Sequence, residues 1–264
     1  MKKIIFLSFV FCAFLFSCQK EDNLLSDSKY PTTIKPIDTV ILKQKQQEFQ
    51  EQNKYIASSL NEFGFCASSE ATVNNPLPPF TTPLTESEAI GKAKMFIVNN
   101  KNYLGLDEPD KVVITKAWFS TGYYNGGTIW RIDSHDQKYD TIQVLYSNIS
   151  ILIMNSEIHY CTGNWYPNIY IPKHFNFDQE KAKSTLRNKT VWHSDISGQS
   201  HPTKITDQAL ASCQINGLKV YPVKSDDKIQ LFVTWKIHVP DVFYILYIDV
   251  MTGEIIASEP TIIS

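Results

Sequence analysis

The chain has 264 residues, with 25 Lys and Arg against 27 Asp and Glu and a formal net charge of −2. That balance argues against the clustered basic face that nucleic-acid binding requires, and the length suits one or two domains. Aromatic residues at 12%, with β-branched residues gathered in strand-like runs, favour a β-rich α+β protein.

At the amino terminus, Lys2-Lys3 precedes an apolar run over residues 4–16 that is too short to span a bilayer, the pattern of a secretory signal. Leu15-Phe16-Ser17-Cys18 resembles the lipobox of bacterial lipoproteins, whose cysteine becomes the acylated first residue. The resemblance implies removal of residues 1–17, acylation (palmitate included) at Cys18, and attachment to a membrane through it. Several acyl chains on one residue anchor stably, since each buried CH₂ contributes about 0.8 kcal/mol. Gln19-Lys20-Glu21-Asp22 resembles the acidic stretch with which some Gram-negative bacteria send lipoproteins to the outer surface, so a surface-exposed outer-membrane location is expected. The simpler alternative is a cleaved signal with an incidental cysteine.

Residues 18–83 read as a tether, a helix over 40–63 and a Pro-rich linker over 71–83. Leu42, Phe49, Ile56 and Phe63 recur at heptad spacing, but Gln46 and Asn53 take the intervening places, leaving one narrow apolar stripe for packing rather than a coiled-coil seam. Thr85 and Glu88 form a capping box for a helix that carries Ala89, Ala93, Phe96 and Ile97 on one face. Strands are predicted over 112–119, 128–132 and 143–155. Asp178 is the N-cap of a second helix, through Ala182 and Leu186. After a polar insertion, Leu231, Val233, Trp235, Ile237 and Val239 alternate with Thr234, Lys236 and His238, as a half-buried strand requires. Two further strands follow, joined by the turn Met251-Thr252-Gly253-Glu254, with Asp249 placed to set up that turn. Helix then antiparallel strands, twice, predicts an internal repeat, over residues 84–172 and 173–264.

Three stretches carry a family resemblance. Glu88-Ala89, Lys94-Met95-Phe96-Ile97, Asn99 and Leu104-Gly105-Leu106 resemble the opening helix of the propeptides of thermolysin-like and fungalysin-like metalloproteases. Gln137-Lys138-Tyr139-Asp140-Thr141-Ile142-Gln143-Val144, with Ser147 and a strand over 149–153, is similar to the next segment of those propeptides, although the family usually carries glycine where Thr141 stands. Trp235-Lys236-Ile237 and Tyr247-Ile248-Asp249-Val250-Met251-Thr252-Gly253-Glu254-Ile255-Ile256 resemble the close of a PepSY domain. The resemblance covers residues 84–260 and implies two PepSY-like repeats. It also implies an inhibitory or chaperone-like module without a peptidase of its own, because no H-E-x-x-H occurs in the sequence.

Candidate chemistry is sparse. No two histidines share a helix at metal-ligand spacing, and the clusters around His135 and around His193, Asp195 and His201 fall in polar turn-like segments, so no metal or cofactor is expected. No G-x-S-x-G or phosphate-cradling glycine loop occurs, so no catalytic residue is assigned and the chain is expected not to be an enzyme. Cys66, Cys161 and Cys213 permit one disulfide at most, with connectivity open and unpaired thiols the simpler reading. Trp165, Tyr166, Tyr170 and Trp192 form an aromatic-rich middle that either plugs the junction between the repeats or stacks on a ligand. The expected function is binding of a protein partner, such as a secreted peptidase that the chain modulates or inhibits; the alternative is glycan binding through those four rings.

Overall fold

The computed structural model describes residues 27–67, 78–79, 81–123, 127–194 and 200–261. The signal segment and Cys18 lie outside the described residues, as do Asp195 and most of the Pro-rich linker. The fold is α+β, with antiparallel strands dominating two main sheets.

An amino-terminal arm comes first: β1 (Thr32–Ile34), α1 (Thr39–Gln52), β2 (Ser59–Leu60) and β3 (Cys66–Ala67). Where the sequence suggests a tether, β1 pairs antiparallel with residues 229–231 of the larger sheet. The Asp38 carboxylate starts α1 by accepting from Val40 N and Ile41 N, satisfying orphan donors of the first turn. The helix ends well short of residue 63. Asn53 Nδ2 donates to Phe49 O at 2.8 Å and to Asn100 Oδ1 at 2.9 Å, turning the chain out of the helix and onto the body of the protein. Ile56 and Phe63 consequently leave the predicted stripe: Ile56 joins Phe49 in one core and Phe63 enters the other.

The next unit is α2 (Glu86–Asn99), α3 (Lys101–Leu104), β4 (Ile114–Tyr123), β5 (Gly127–Ser134), β6 (Lys138–Tyr139), β7 (Ile142–Val144), β8 (Ile149–Met154) and β9 (Glu157–Gly163). The capping box at Thr85 and Glu88 is present in both directions. Ala89, Ala93, Phe96 and Ile97 of α2 are buried on the sheet β4-β5-β8-β9, against Ile132, Ile149, Ile151 and Ile153. The single strand expected over 143–155 is two strands in two different sheets. Tyr146, at φ +56°, and a fully buried Ser147, whose Oγ donates to Val144 O and accepts from Gln137 N, break it. β7 then runs parallel to a strand of the larger sheet while β8 returns to the smaller one.

The last unit is α4 (Gln179–Thr185), the hairpin β10 (Thr190–Ser194) and β11 (Ser200–Lys204), α5 (Asp207–Ser212), then β12 (Gln214–Ser225), β13 (Lys228–Val239), β14 (Tyr244–Asp249) and β15 (Ile255–Pro260). Asp178 caps α4 through Lys181 N at 2.8 Å. The seven-stranded sheet runs β15-β14-β13-β12-β7-β6, with β1 also on β13. Leu231, Val233, Trp235, Ile237 and Val239 are all buried, in one core with Ala182 of α4, Leu186 at its C-cap, and Ala209 and Leu210 of α5. Both units thus run from a helix into four antiparallel strands laid side by side in chain order.

Candidate functional site

Two places on the surface collect side chains that packing does not consume. The first is the outer edge of the smaller sheet. Its β9 edge is covered by the arm: Ala57 N donates to His159 O at 2.7 Å, and Ser58 Oγ both accepts from Cys161 N and donates to Cys161 O. Its other edge is β4, ten residues long, and no described strand pairs with the outer side of it. Ala117 and its register partner Ile132 pack toward the core under α2, so the two-residue period turns Trp118 and its partner Arg131 to the opposite face. Trp118 is 58% exposed. The register continues Trp118–Arg131–Leu152–Tyr160 straight across the sheet. Arg131 Nε is held by both Asp133 oxygens, at 3.1 and 3.0 Å, and Asp133 in turn accepts from Ser150 Oγ at 2.6 Å, which fixes the guanidinium. On the other face Phe119 leans on Trp130, ring centroids 4.9 Å apart, and Trp130 Nε1 donates to Leu84 O.

The second place is a cleft of about 570 Å³ lined by Asp107, Lys111, Asp136, Tyr139 and Asp140 of the first unit and by Trp165 of the segment that follows β9, among others. Lys111 pairs with Glu108 at 2.6 Å, and Asp136 accepts from Gln143 Nε2 at 2.6 Å. Below it, buried Gln137 clamps the next loop: Nε2 donates to Tyr166 O at 2.8 Å and Oε1 accepts from Tyr166 N at 2.9 Å. Burial pushes the Tyr166 hydroxyl up to about 12, so it is neutral at physiological pH.

The four rings singled out in the sequence do not converge. Trp165 is half-buried against the smaller core and lines the cleft, while Tyr166 is buried in the larger core, edge-on to Phe65 at 6.3 Å. Tyr170 turns to the arm, where its hydroxyl bonds Asp27 and its N–H bonds Thr32 Oγ1 at 2.8 Å. Trp192 is 64% exposed on the β10–β11 hairpin, with its carbonyl accepting from Tyr244 Oη at 2.6 Å. Only the first two share a site, and they sit at the junction of the two cores. Trp118 and Phe119 escaped the sequence reading, although two adjacent aromatics facing opposite sides of a strand were the available signal.

Asp249 has a structural task. Its buried carboxylate accepts from Thr252 Oγ1 at 2.8 Å, from Met251 N and Thr252 N at 3.3 Å, and from the Tyr30 hydroxyl. Gly253 follows at φ +71°, where a Cβ would lie 2.4 Å from the Phe177 ring. His193 and His201 are opposite one another in the hairpin register, but no group of three or more His, Cys, Asp or Glu suited to a metal occurs among the described residues. No helix among them is long and apolar enough to cross a membrane.

No family model matches the chain, and no curated protein matches it. Among solved structures, the C-terminal domain of YpeB from Bacillus megaterium is similar over 86% of this chain and 99% of that one, at 10% identity and a TM-score of 0.29.

Proposed function

We propose that the chain is a non-catalytic, lipid-anchored protein of the cell envelope that binds another protein by adding one of its strands to β4. The observation that carries this reading is the ten-residue terminal strand, unpaired along its outer side among the described residues and carrying Trp118 and Phe119. Unpaired backbone groups along such an edge offer affinity, and neighbouring rings offer selectivity. The partner is an extended segment of an extracytoplasmic peptidase, which the module restrains. Support for that identity is the propeptide resemblance of residues 84–260, together with the twice-used order of a helix and four antiparallel strands, which suits two PepSY-like repeats. Acylation of Cys18 would hold the module at the outer-membrane surface, and neither cofactor nor nucleic acid enters the reading.

A second reading, glycan binding, has its own support in the cleft, where Trp165 and Tyr139 stand among carboxylates. Rings beside hydrogen-bonding groups are what a sugar needs. The test uses the full chain as bait for proteins secreted by its host, with hydrolysis by any captured peptidase measured with and without the chain. Capture of a peptidase that the chain inhibits is expected, with binding weakened about thirtyfold in Trp118→Ala, the size of an interface anchor. Binding untouched by Trp118→Ala, beside saturable glycan binding lost in Trp165→Ala, would replace the first reading with the second.

A further inference from the structure

Cys66 and Cys161 meet where the arm lies on β9, away from both surfaces just described. Both side chains are 0% exposed. Cys66 Sγ donates to Cys161 O at 3.2 Å, and β3, which carries Cys66, lies on β9, which carries Cys161. Ser58 brackets the same residue from the other side, bonding Cys161 N at 2.7 Å and Cys161 O at 2.5 Å. The third thiol, Cys213, is elsewhere, at the end of α5 with its sulfur on Ala209 O. Three cysteines that leave the pairing open in sequence are thus reduced by the fold to one pair.

We propose that Cys66 and Cys161 become a disulfide in the exported protein, a covalent clamp between the arm and the smaller sheet. The need for an oxidising compartment rests on the export reading above; the choice of partners does not. The oxidant is a disulfide donor, either the oxidised, disulfide form of a thiol–disulfide oxidoreductase or oxidised glutathione. One cysteine, as thiolate, attacks the donor disulfide and expels one donor sulfur as thiolate. The second cysteine, also as thiolate, then breaks the mixed disulfide, forming the Cys66–Cys161 bond and releasing the other donor sulfur. Two electrons pass to the donor, and the two protons lost by the cysteines end on its thiols. In the folded dithiol the Cys66 contact and burial hold the Cys161 thiol well above its usual value, protonated and shielded. Oxidation therefore belongs to the chain before the arm docks, and reduction afterwards requires the arm to lift.

Two measurements separate the geometry from the compartment. In the first, the full chain is unfolded, reduced and refolded in a glutathione redox buffer, trapped with N-ethylmaleimide and mapped by mass. A single Cys66–Cys161 bond with Cys213 alkylated is expected, melting roughly 10 °C above the reduced protein, as closure of a long loop implies. Cys213→Ser should keep that shift, whereas Cys66→Ala should abolish it. In the second, host cells are quenched directly into acid and the same trap. Free thiols at both positions in the refolded chain, or a bond to Cys213, overturn the pairing. A bond in the refolded chain with free thiols in the cell overturns the exported disulfide through its compartment and leaves the geometry standing.

Discussion

Asp249 and Tyr30 illustrate what one buried charge asks of its surroundings. The carboxylate is 0% exposed, and the turn that follows it supplies three of its donors. The fourth is the Tyr30 hydroxyl, which also accepts from Val233 N at 2.9 Å. The turn contacts were legible, because an acid just ahead of a Thr-Gly turn can reach the N–H groups of the second and third residues after it. Tyr30 was not, since nothing in a polar segment 219 residues away marks one tyrosine as a partner. Tyr30→Phe removes one donor from a buried charge and should cost about 1–3 kcal/mol in urea unfolding. The pH dependence has a definite sign. Burial, then the nearby Asp249 charge, raises the Tyr30 hydroxyl above its ordinary 10.0, so the fold favours the protonated form. The resulting stability is complete below pH 10 and is lost as pH rises beyond it; Tyr166, pushed up to about 12 by burial, adds to the loss between those values. Unfolding free energies measured from pH 9 to 12 should fall, and fall less steeply in Tyr30→Phe. Equal slopes for the two proteins would remove Tyr30 from the account.

At the scale of elements, alternation was the dependable signal and breaks without glycine were the treacherous ones. β13 followed from its five alternating apolar residues, and the Trp235 ring is buried with Nε1 donating to Phe177 O at 2.9 Å and Phe175 edge-on at 6.2 Å. Trp235→Ala removes that packing and leaves the Phe177 carbonyl without its donor. The expected cost is about 3–5 kcal/mol by denaturant titration, and a loss below 1 kcal/mol would mean that the ring does not anchor the sheet. The break between β7 and β8 was hidden because Tyr146 and Ser147 make the turn with no glycine or proline to announce it. β12 was hidden for the opposite reason. Gly217 and Pro222 punctuate it like a loop, yet Gly217 sits at a register shift and Pro222 is tolerated opposite Leu231. The β4 edge belongs here too: periodicity reports a strand, but whether a strand is terminal depends on which strand pairs beside it.

For the whole molecule, the question is whether two helix-backed sheets behave as one body. The arm gives Phe49, Ile56, Leu60 and Cys66 to one core and Phe63 and Phe65 to the other. β7 leaves the first unit to pair with β12 of the second, and Leu145 N donates to Val220 O at 2.9 Å. None of these links is local in sequence, which is why tether and repeats read as separate pieces. Gln137 is a buried polar link between the cores, 8% exposed, with both ends of its amide bonded to the backbone of Tyr166, whose ring lies in the larger core. Gln137→Ala strands a buried N–H and a buried carbonyl at the junction and should cost roughly 2–4 kcal/mol. The wild-type chain should unfold in one transition, its calorimetric and van't Hoff enthalpies equal, with fluorescence and far-ultraviolet circular dichroism tracing the same curve. In Gln137→Ala those curves should separate, the calorimetric enthalpy exceeding the van't Hoff value as the units melt apart. Two transitions already present in the wild type would make the units independent, whereas a lowered but still coincident transition in the variant would show that the arm and β7 couple them without Gln137.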